Sequence, residues 1–332
     1  MSRIIVFIEN QSYLNFTKPY LDSLIRMNIE FQIFSLENIK IDDIENEKIK
    51  FFNSKKTLNK ALINLECDYF ITTTPGIGNS FFPKSKILPK SKRPKYIYFF
   101  HSLVSPNENY AKNSFNGFDI ILSPNNTITN QLKYIVGEKY TKILTVGYQH
   151  LEKNNKEHIN TNNFLIAPSW GKDNLFSDKY NQQLLQMIER LKDNEKNVFL
   201  RPHPMDIEIL KKLEKINGIN LYSTNDINFR NFDCLITDWS GISLEFFYST
   251  RNVVGFVNTP KKIKRKLKRV ERKLNLVENM VRNKIGPILD VENLDLELLF
   301  NFQYQKSEYI EKLFLPEFPK IDIDNIFLSL FK

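Results

Sequence analysis

A short, unbroken apolar run recurs along this chain, each time followed by a stretch with helical periodicity, and that recurrence restricts the fold more than any other feature. Ile4-Ile5-Val6-Phe7-Ile8 and Tyr96-Ile97-Tyr98-Phe99-Phe100 are examples. Continuous runs rich in β-branched and aromatic residues are expected of parallel strands covered by helices on both faces, whereas half-exposed strands alternate. The first half predicts strands at Arg3–Ile8, Glu30–Phe34, Asp68–Thr72, Lys95–Phe100, Phe118–Leu122 and Lys142–Val146, with an amphipathic helix at Thr127–Val136. The pattern pauses from Gln149 to Asn162, a polar stretch rich in Asn and Lys without apolar periodicity, which is expected to be the interdomain linker. It then restarts, with strands predicted at Asn163–Ala167, Asn197–Arg201, Ile219–Tyr222, Phe232–Thr237 and Asn252–Phe256 and a helix at Lys179–Leu191.

Two doubly wound α/β domains of similar size follow, over residues 1–150 and 163–332. They are expected to be Rossmann-like lobes facing a cleft, with the last helix packing back on the first domain. The two cysteines, Cys67 and Cys234, have neither metal-ligand spacing nor a disulfide framework and read as core filler. The opening apolar run is too short for a signal peptide, and no run approaches the roughly 18–20 residues of a spanning helix, so the chain is expected to be cytoplasmic.

In open parallel sheets, ligands bind beyond the carboxyl ends of the strands. Two of the four histidines fall there: His101 after the run ending at Phe100, and His203 within Arg201-Pro202-His203-Pro204. The two prolines stiffen the second loop, and Arg201 presents a planar fork of donors suited to phosphate oxygens. His150 and His158 lie in the polar stretch. The strongest local feature is Leu235-Ile236-Thr237-Asp238-Trp239-Ser240-Gly241-Ile242-Ser243-Leu244-Glu245. There a buried strand runs through a small hydroxyl-rich turn into an apolar helix at Leu244–Tyr248. A helix start offers unpaired N–H groups and the positive end of a dipole, a ready phosphate site. Gly241 would let a phosphate approach the backbone, with Ser240 and Ser243 as added donors. Plain N-capping by Asp238, Ser240 or Ser243 needs no ligand and remains open. Ala167-Pro168-Ser169-Trp170-Gly171 closes the first strand of the second half. Thr72-Thr73-Thr74-Pro75-Gly76-Ile77-Gly78 is a weaker candidate, as an acceptor-side loop.

Phe100-His101-Ser102, Ala167-Pro168-Ser169-Trp170, Arg201-Pro202-His203-Pro204 and Thr237-Asp238-Trp239-Ser240-Gly241-Ile242-Ser243 occur in an order and spacing that resembles the CDP-glycerol glycerophosphotransferase family, over roughly residues 95–290. The resemblance implies a GT-B fold, work at the cytoplasmic membrane face on polymers of the teichoic-acid and capsule type, and use of two histidines at the matching positions. It implies His101 as general base on an acceptor hydroxyl, and His203 with Arg201 on the donor diphosphate. Ser169, Trp170, Asp238, Ser240, Gly241 and Ser243 would complete the donor site, with Glu245 towards a ribose hydroxyl. The chain departs from the family at Ser102, usually Gly, at Gly171, often Arg, and at Asp238-Trp239-Ser240-Gly241, often Asp-Tyr-Ser-Ser. The donor therefore stays open between CDP-glycerol, CDP-ribitol and a nucleotide sugar. No cofactor and no metal are expected, since protein cations and a helix dipole would meet the phosphate charge.

The 47 Lys and Arg against 38 Asp and Glu give a formal charge of +9, and residues 261–273 alone carry +8. Ile263, Leu267, Val270, Leu274, Val277 and Val281 recur on one helical face there. The opposite face, with Lys264, Lys266 and Lys268, is either a solvated surface or a contact for anionic lipid or a polyanionic acceptor, placing the protein peripherally on the inner membrane face. A nucleic-acid reader would explain the charge but not the strand-end histidines. A GT-B epimerase would show more carboxylates at its site, and a non-catalytic scaffold in capsule assembly is a further alternative.

Overall fold

The computed structural model describes residues 3–63, 65–78, 82–83, 93–106, 110, 113–136, 141–150, 160–171, 174–203, 206, 209, 213, 220–222, 227–258, 277–303 and 321–331. The chain divides into two compact units. The first comprises Met1–His101, Ser105–His150 and Leu315–Lys332, the second Ser102–Val104 and Leu151–Phe314.

In the first unit the strands are β1 (Ile4–Ile8), β2 (Phe31–Ser35), β3 (Ile49–Phe51), β4 (Tyr69–Thr72), β5 (Ile77–Gly78), β6 (Phe82–Pro83), β7 (Lys95–Phe99), β8 (Ile120–Ser123) and β9 (Lys142–Thr145). Seven form one parallel sheet in the order β3-β2-β1-β4-β7-β8-β9, while β5 and β6 pair separately. Every residue of β1 is buried, as a strand covered on both faces requires. Ile4, Val6 and Ile8 join a cluster with Tyr20 and Leu24 of helix α1 (Leu14–Arg26) and with Ile326 and Phe327 of the C-terminal helix (Ile323–Leu330). On the alternate positions Phe7 stacks against Phe70. Among the described residues this unit also has helices α2 (Lys55–Ile63) and α3 (Asn126–Val136).

The second unit contains β10 (Asn163–Ile166), helix α4 (Asn181–Asp193), β11 (Asn197–Leu200), β12 (Asn220–Leu221), β13 (Cys234–Thr237), helix α5 (Ile242–Thr250), β14 (Val253–Asn258), helix α6 (Val277–Val281) and β15 (Ile288–Asp290). The parallel order is β12-β11-β10-β13-β14-β15. Helix α4 buries Leu184, Met187, Ile188 and Leu191, spaced to form one face, against this sheet.

Several elements differ from expectation. Strands β3, β15 and the β5–β6 pair are additional, and the strand expected at Ile219–Tyr222 contracts to Asn220–Leu221. The helix expected at Leu244–Tyr248 begins two residues earlier and ends two later, because Ser243 Oγ and the N–H groups of Ser243 and Leu244 already bond back to Ser240 and Gly241. Both ends of the polar stretch are tied down: Gln149 is buried and donates to Val146 O and Ile321 O, and the Asp233 carboxylate accepts the N–H groups of Thr161 and Asn162. Residues 151–159, with His158, lie outside the described residues. So do Lys264, Lys266 and Lys268 and the basic run around them. Among the described residues, no helix is long and apolar enough to cross a membrane.

Candidate functional site

Strand order decides where each unit has a crevice. In the second sheet the chain winds one way from β10 through β11 to β12 and the other way from β13 through β14 to β15. The loops after β10 and β13 therefore diverge, and ligands of doubly wound sheets enter at such a switch point. Register aligns Ile166 with Leu200 on one side and Ile236 on the other. This brings Ala167–Gly171, Arg201–His203 and Asp238–Ser243 to one edge, although they are spread along more than 70 residues of chain.

Asp238 stands at the switch point and is 1% exposed. Its Oδ1 accepts the Ser169 N–H at 2.7 Å and the Trp239 N–H at 2.6 Å, so it ties the two diverging loops together. It does not cap α5, whose N-cap is Gly241 without a side-chain bond. A Cβ at Gly241 would lie 2.7 Å from Val104 Cγ1 and 2.9 Å from Ser102 Oγ, so close packing against the Ser102–Val104 segment requires glycine here. Gly171 has φ +124°, a region an arginine enters only with strain, so the departure from the family at this position is matched by a glycine-specific turn. Trp170 beside it is 58% exposed.

Burial of Arg201 lowers its pKa while the Glu245 carboxylate raises it, so Glu245 acts on this arginine. The His203 imidazole, buried and beside the Arg201 charge, is pushed down to about 4 and is neutral at pH 7. A residue that no motif singled out joins them. Arg282, just past α6, is 8% exposed; it donates from Nη1 to Asp238 O at 2.6 Å and lies over the Trp239 ring at 4.2 Å and the Phe256 ring at 5.0 Å. Its Nη2 is buried without a partner, as is Asp238 Oδ2. Burial lowers its pKa to about 10, which leaves it charged. An unmatched guanidinium donor beside the Asp238–Trp239 turn suits an anion, and Arg282 was missed because it lies 44 residues beyond the turn it touches.

The first sheet has its own switch point between β1 and β4. Glu9 follows β1, and its Oε2 accepts Thr74 Oγ1 at 3.2 Å; Lys55 Nζ lies 3.9 Å from Oε1. Burial is the main cause of its raised pKa. His101 sits beyond the neighbouring β7. Its Nδ1 is 2.8 Å from Thr73 Oγ1 and 3.1 Å from Thr73 O, and its ring meets Tyr13 edge-on with centroids 4.8 Å apart. His150 is bonded through Nδ1 to Asn15 O at 3.2 Å and stacks obliquely on Phe16. No group of three or more potential metal ligands occurs among the described residues.

A family model described as CDP-Glycerol:Poly(glycerophosphate) glycerophosphotransferase matches residues 69–268. No curated protein sequence matches the chain. Among solved structures, the wall teichoic acid polymerase TagF is 16% identical, with a TM-score of 0.60, over 99% of this chain and 87% of its own. The UDP-GlcNAc 2-epimerase of Methanocaldococcus jannaschii, in complex with UDP-GlcNAc and UDP, is 13% identical with a TM-score of 0.61, over 99% of this chain and all of its own. S. aureus MnaA with UDP is 12% identical with a TM-score of 0.58, covering 99% and 97%. At these identities the likeness establishes the fold, the two parallel α/β units of the GT-B class. The match of the family model extends from β4 through the His101, Arg201–His203 and Asp238–Ser243 loops, and on it the chain belongs to the CDP-glycerol:poly(glycerophosphate) glycerophosphotransferase family.

Proposed function

We propose that this enzyme transfers glycerol phosphate from CDP-glycerol to a hydroxyl of a polymeric or lipid-linked acceptor, with histidine assistance. The observation that carries the proposal is the convergence of Arg201, His203, Arg282 and the start of α5 at the edge of one sheet, within or next to the family-matched residues. Arg201, Arg282 and the helix start supply positive potential for a diphosphate, and His203, neutral at pH 7, supplies a hydrogen bond. Trp170, Ser169 and Ser240 line the same edge, with Asp238, Gly241 and Ser243 as its framework. His101 takes the proton of the acceptor hydroxyl as its oxygen attacks the glycerol-bearing phosphorus. The bond from that phosphorus to the bridging oxygen breaks, and CMP leaves with the electron pair. The basic run with Lys264, Lys266 and Lys268 holds an anionic membrane surface or acceptor.

The test is a donor panel: purified protein with CDP-glycerol, CDP-ribitol, and CMP- and UDP-sugars, each with a glycerol-phosphate oligomer, read as nucleotide release. CMP release with CDP-glycerol is expected. Release only from a nucleotide sugar would move the chain to glycosyl transfer, and release from none would favour a scaffold in envelope assembly.

A further inference from the structure

The hydrogen-bond geometry behind His101 leads us to infer that Thr73 is a positioning residue: it holds the imidazole in the tautomer with the proton on Nδ1 and the lone pair on Nε2. The inference rests on His101 acting as the base. Thr73 O lies 3.1 Å from Nδ1, and a carbonyl oxygen only accepts, so Nδ1 must carry a hydrogen. Because Nδ1 carries that hydrogen, Thr73 Oγ1, at 2.8 Å from the same nitrogen, meets it as a second acceptor.

The Nδ1–H of His101, just after β7, is thus shared between the two oxygens of Thr73, just after β4. Both Thr73 oxygens remain acceptors when the ring is protonated, so the same contacts that fix the tautomer also favour the imidazolium that proton abstraction creates. Tyr13, Phe16 and Tyr110 flank the ring, and Glu9 acts on Tyr13 with Lys55 beyond it.

Uniformly ¹⁵N-labelled full-length protein tests this, with the His101 ring resonances assigned by His101→Gln. Above the imidazole titration the parent and Thr73→Ser should show the Nδ1–H tautomer. Thr73→Val, which keeps the shape and the carbonyl but loses Oγ1, should show a reduced share of it. In the transfer assay Thr73→Val should lower kcat roughly ten- to a hundredfold, the range for losing one hydrogen bond to a charged group. Its KM for donor should stay unchanged and the acid limb of its pH profile should move down; Thr73→Ser should restore both. An Nε2–H tautomer in the parent overturns the inference, and so does a Thr73→Val protein matching the parent in tautomer, kcat and pH profile. Because the tautomer is read without turnover, a parent with the Nδ1–H tautomer but no nucleotide release would refute the transferase proposal and leave the positioning intact.

Discussion

Placed on the donor diphosphate as proposed, His203 gives donor binding a pH dependence of definite sign, since it is neutral at pH 7 in the unliganded protein. Its pKa of about 4 reflects burial first and the Arg201 charge second. A diphosphate brought against the ring favours the charged form and raises that value. Between about 4 and the raised value, binding should take up a proton, and affinity should fall as pH rises through that window. Calorimetry in buffers of different ionisation enthalpy would measure the uptake, and His203→Gln should abolish it while leaving weakened binding. Arg201→Ala should weaken binding more, since it removes a permanent charge; donor affinity equal to the parent's in both variants would refute the donor-site assignment. His101→Ala should behave oppositely, with donor affinity kept and turnover lowered roughly 10²–10⁴-fold. The residues legible in the sequence are those whose neighbours are local, as in Arg201-Pro202-His203 and the turn from Asp238 to Ser243. Glu9, Tyr13 and Arg282 carried no such mark. Their partners come from strand adjacency: Thr74 lies 65 residues from Glu9, and Asp238 lies 44 from Arg282.

At the level of elements, one junction lies at the edge of the second sheet and another in the core of the first unit. The first is Asp238 between β10 and β13, whose Oδ1 satisfies two backbone N–H groups at once. Asp238→Ala leaves both without that acceptor in a buried site and should cost roughly 2–4 kcal/mol in denaturant unfolding, whereas Asp238→Asn, which keeps an oxygen there, should cost less than half as much. The second is the C-terminal helix. Asp324 accepts from Arg26 Nη2 at 2.8 Å and from Ser23 Oγ at 2.5 Å, and Leu330 O accepts the Tyr69 hydroxyl at 2.5 Å. The helix buries Ile323, Ile326, Phe327 and Leu330 in the first unit's core. Four such side chains at ~1.5–3 kcal/mol each are comparable to a whole domain's stability of ~5–15 kcal/mol. Removing residues 321–332 should therefore abolish cooperative unfolding of that unit, as followed by circular dichroism. The central strands were legible because a strand buried on both faces must be apolar throughout. Strands β3 and β15 were not, because each is three residues long at a sheet edge with exposed positions. Nothing in Ile49-Lys50-Phe51 or Ile288-Leu289-Asp290 distinguishes them from a loop.

Across the whole molecule, charge is distributed unevenly, since residues 261–273 carry +8 of a formal +9. The proposed diphosphate site does not need that excess; Arg201, Arg282 and a helix start would suffice for two phosphates. A polyanionic acceptor or an anionic membrane surface would use it, and each basic residue near such a surface is worth about 1 kcal/mol. Replacing Lys264, Lys266 and Lys268 with Gln should then weaken binding to phosphatidylglycerol-containing liposomes by roughly 10²-fold, at about 1.4 kcal/mol per tenfold. Raising salt should weaken the parent's binding in the same direction, because exposed charges are screened over a shorter distance. Turnover with CDP-glycerol and a short soluble acceptor should survive the triple change, since none of the three lysines lies in the strand-end loops that hold Arg201, His203 and His101. Co-sedimentation separates this from a merely solvated face, for which such substitutions change little, usually within about 0.5 kcal/mol of stability. Parent protein that stays in the supernatant with anionic liposomes at low salt, and a triple variant indistinguishable from it, would remove the membrane contact and leave the acceptor polymer as the partner for that charge. A titration with soluble poly(glycerol phosphate) would then read the difference between the two proteins directly.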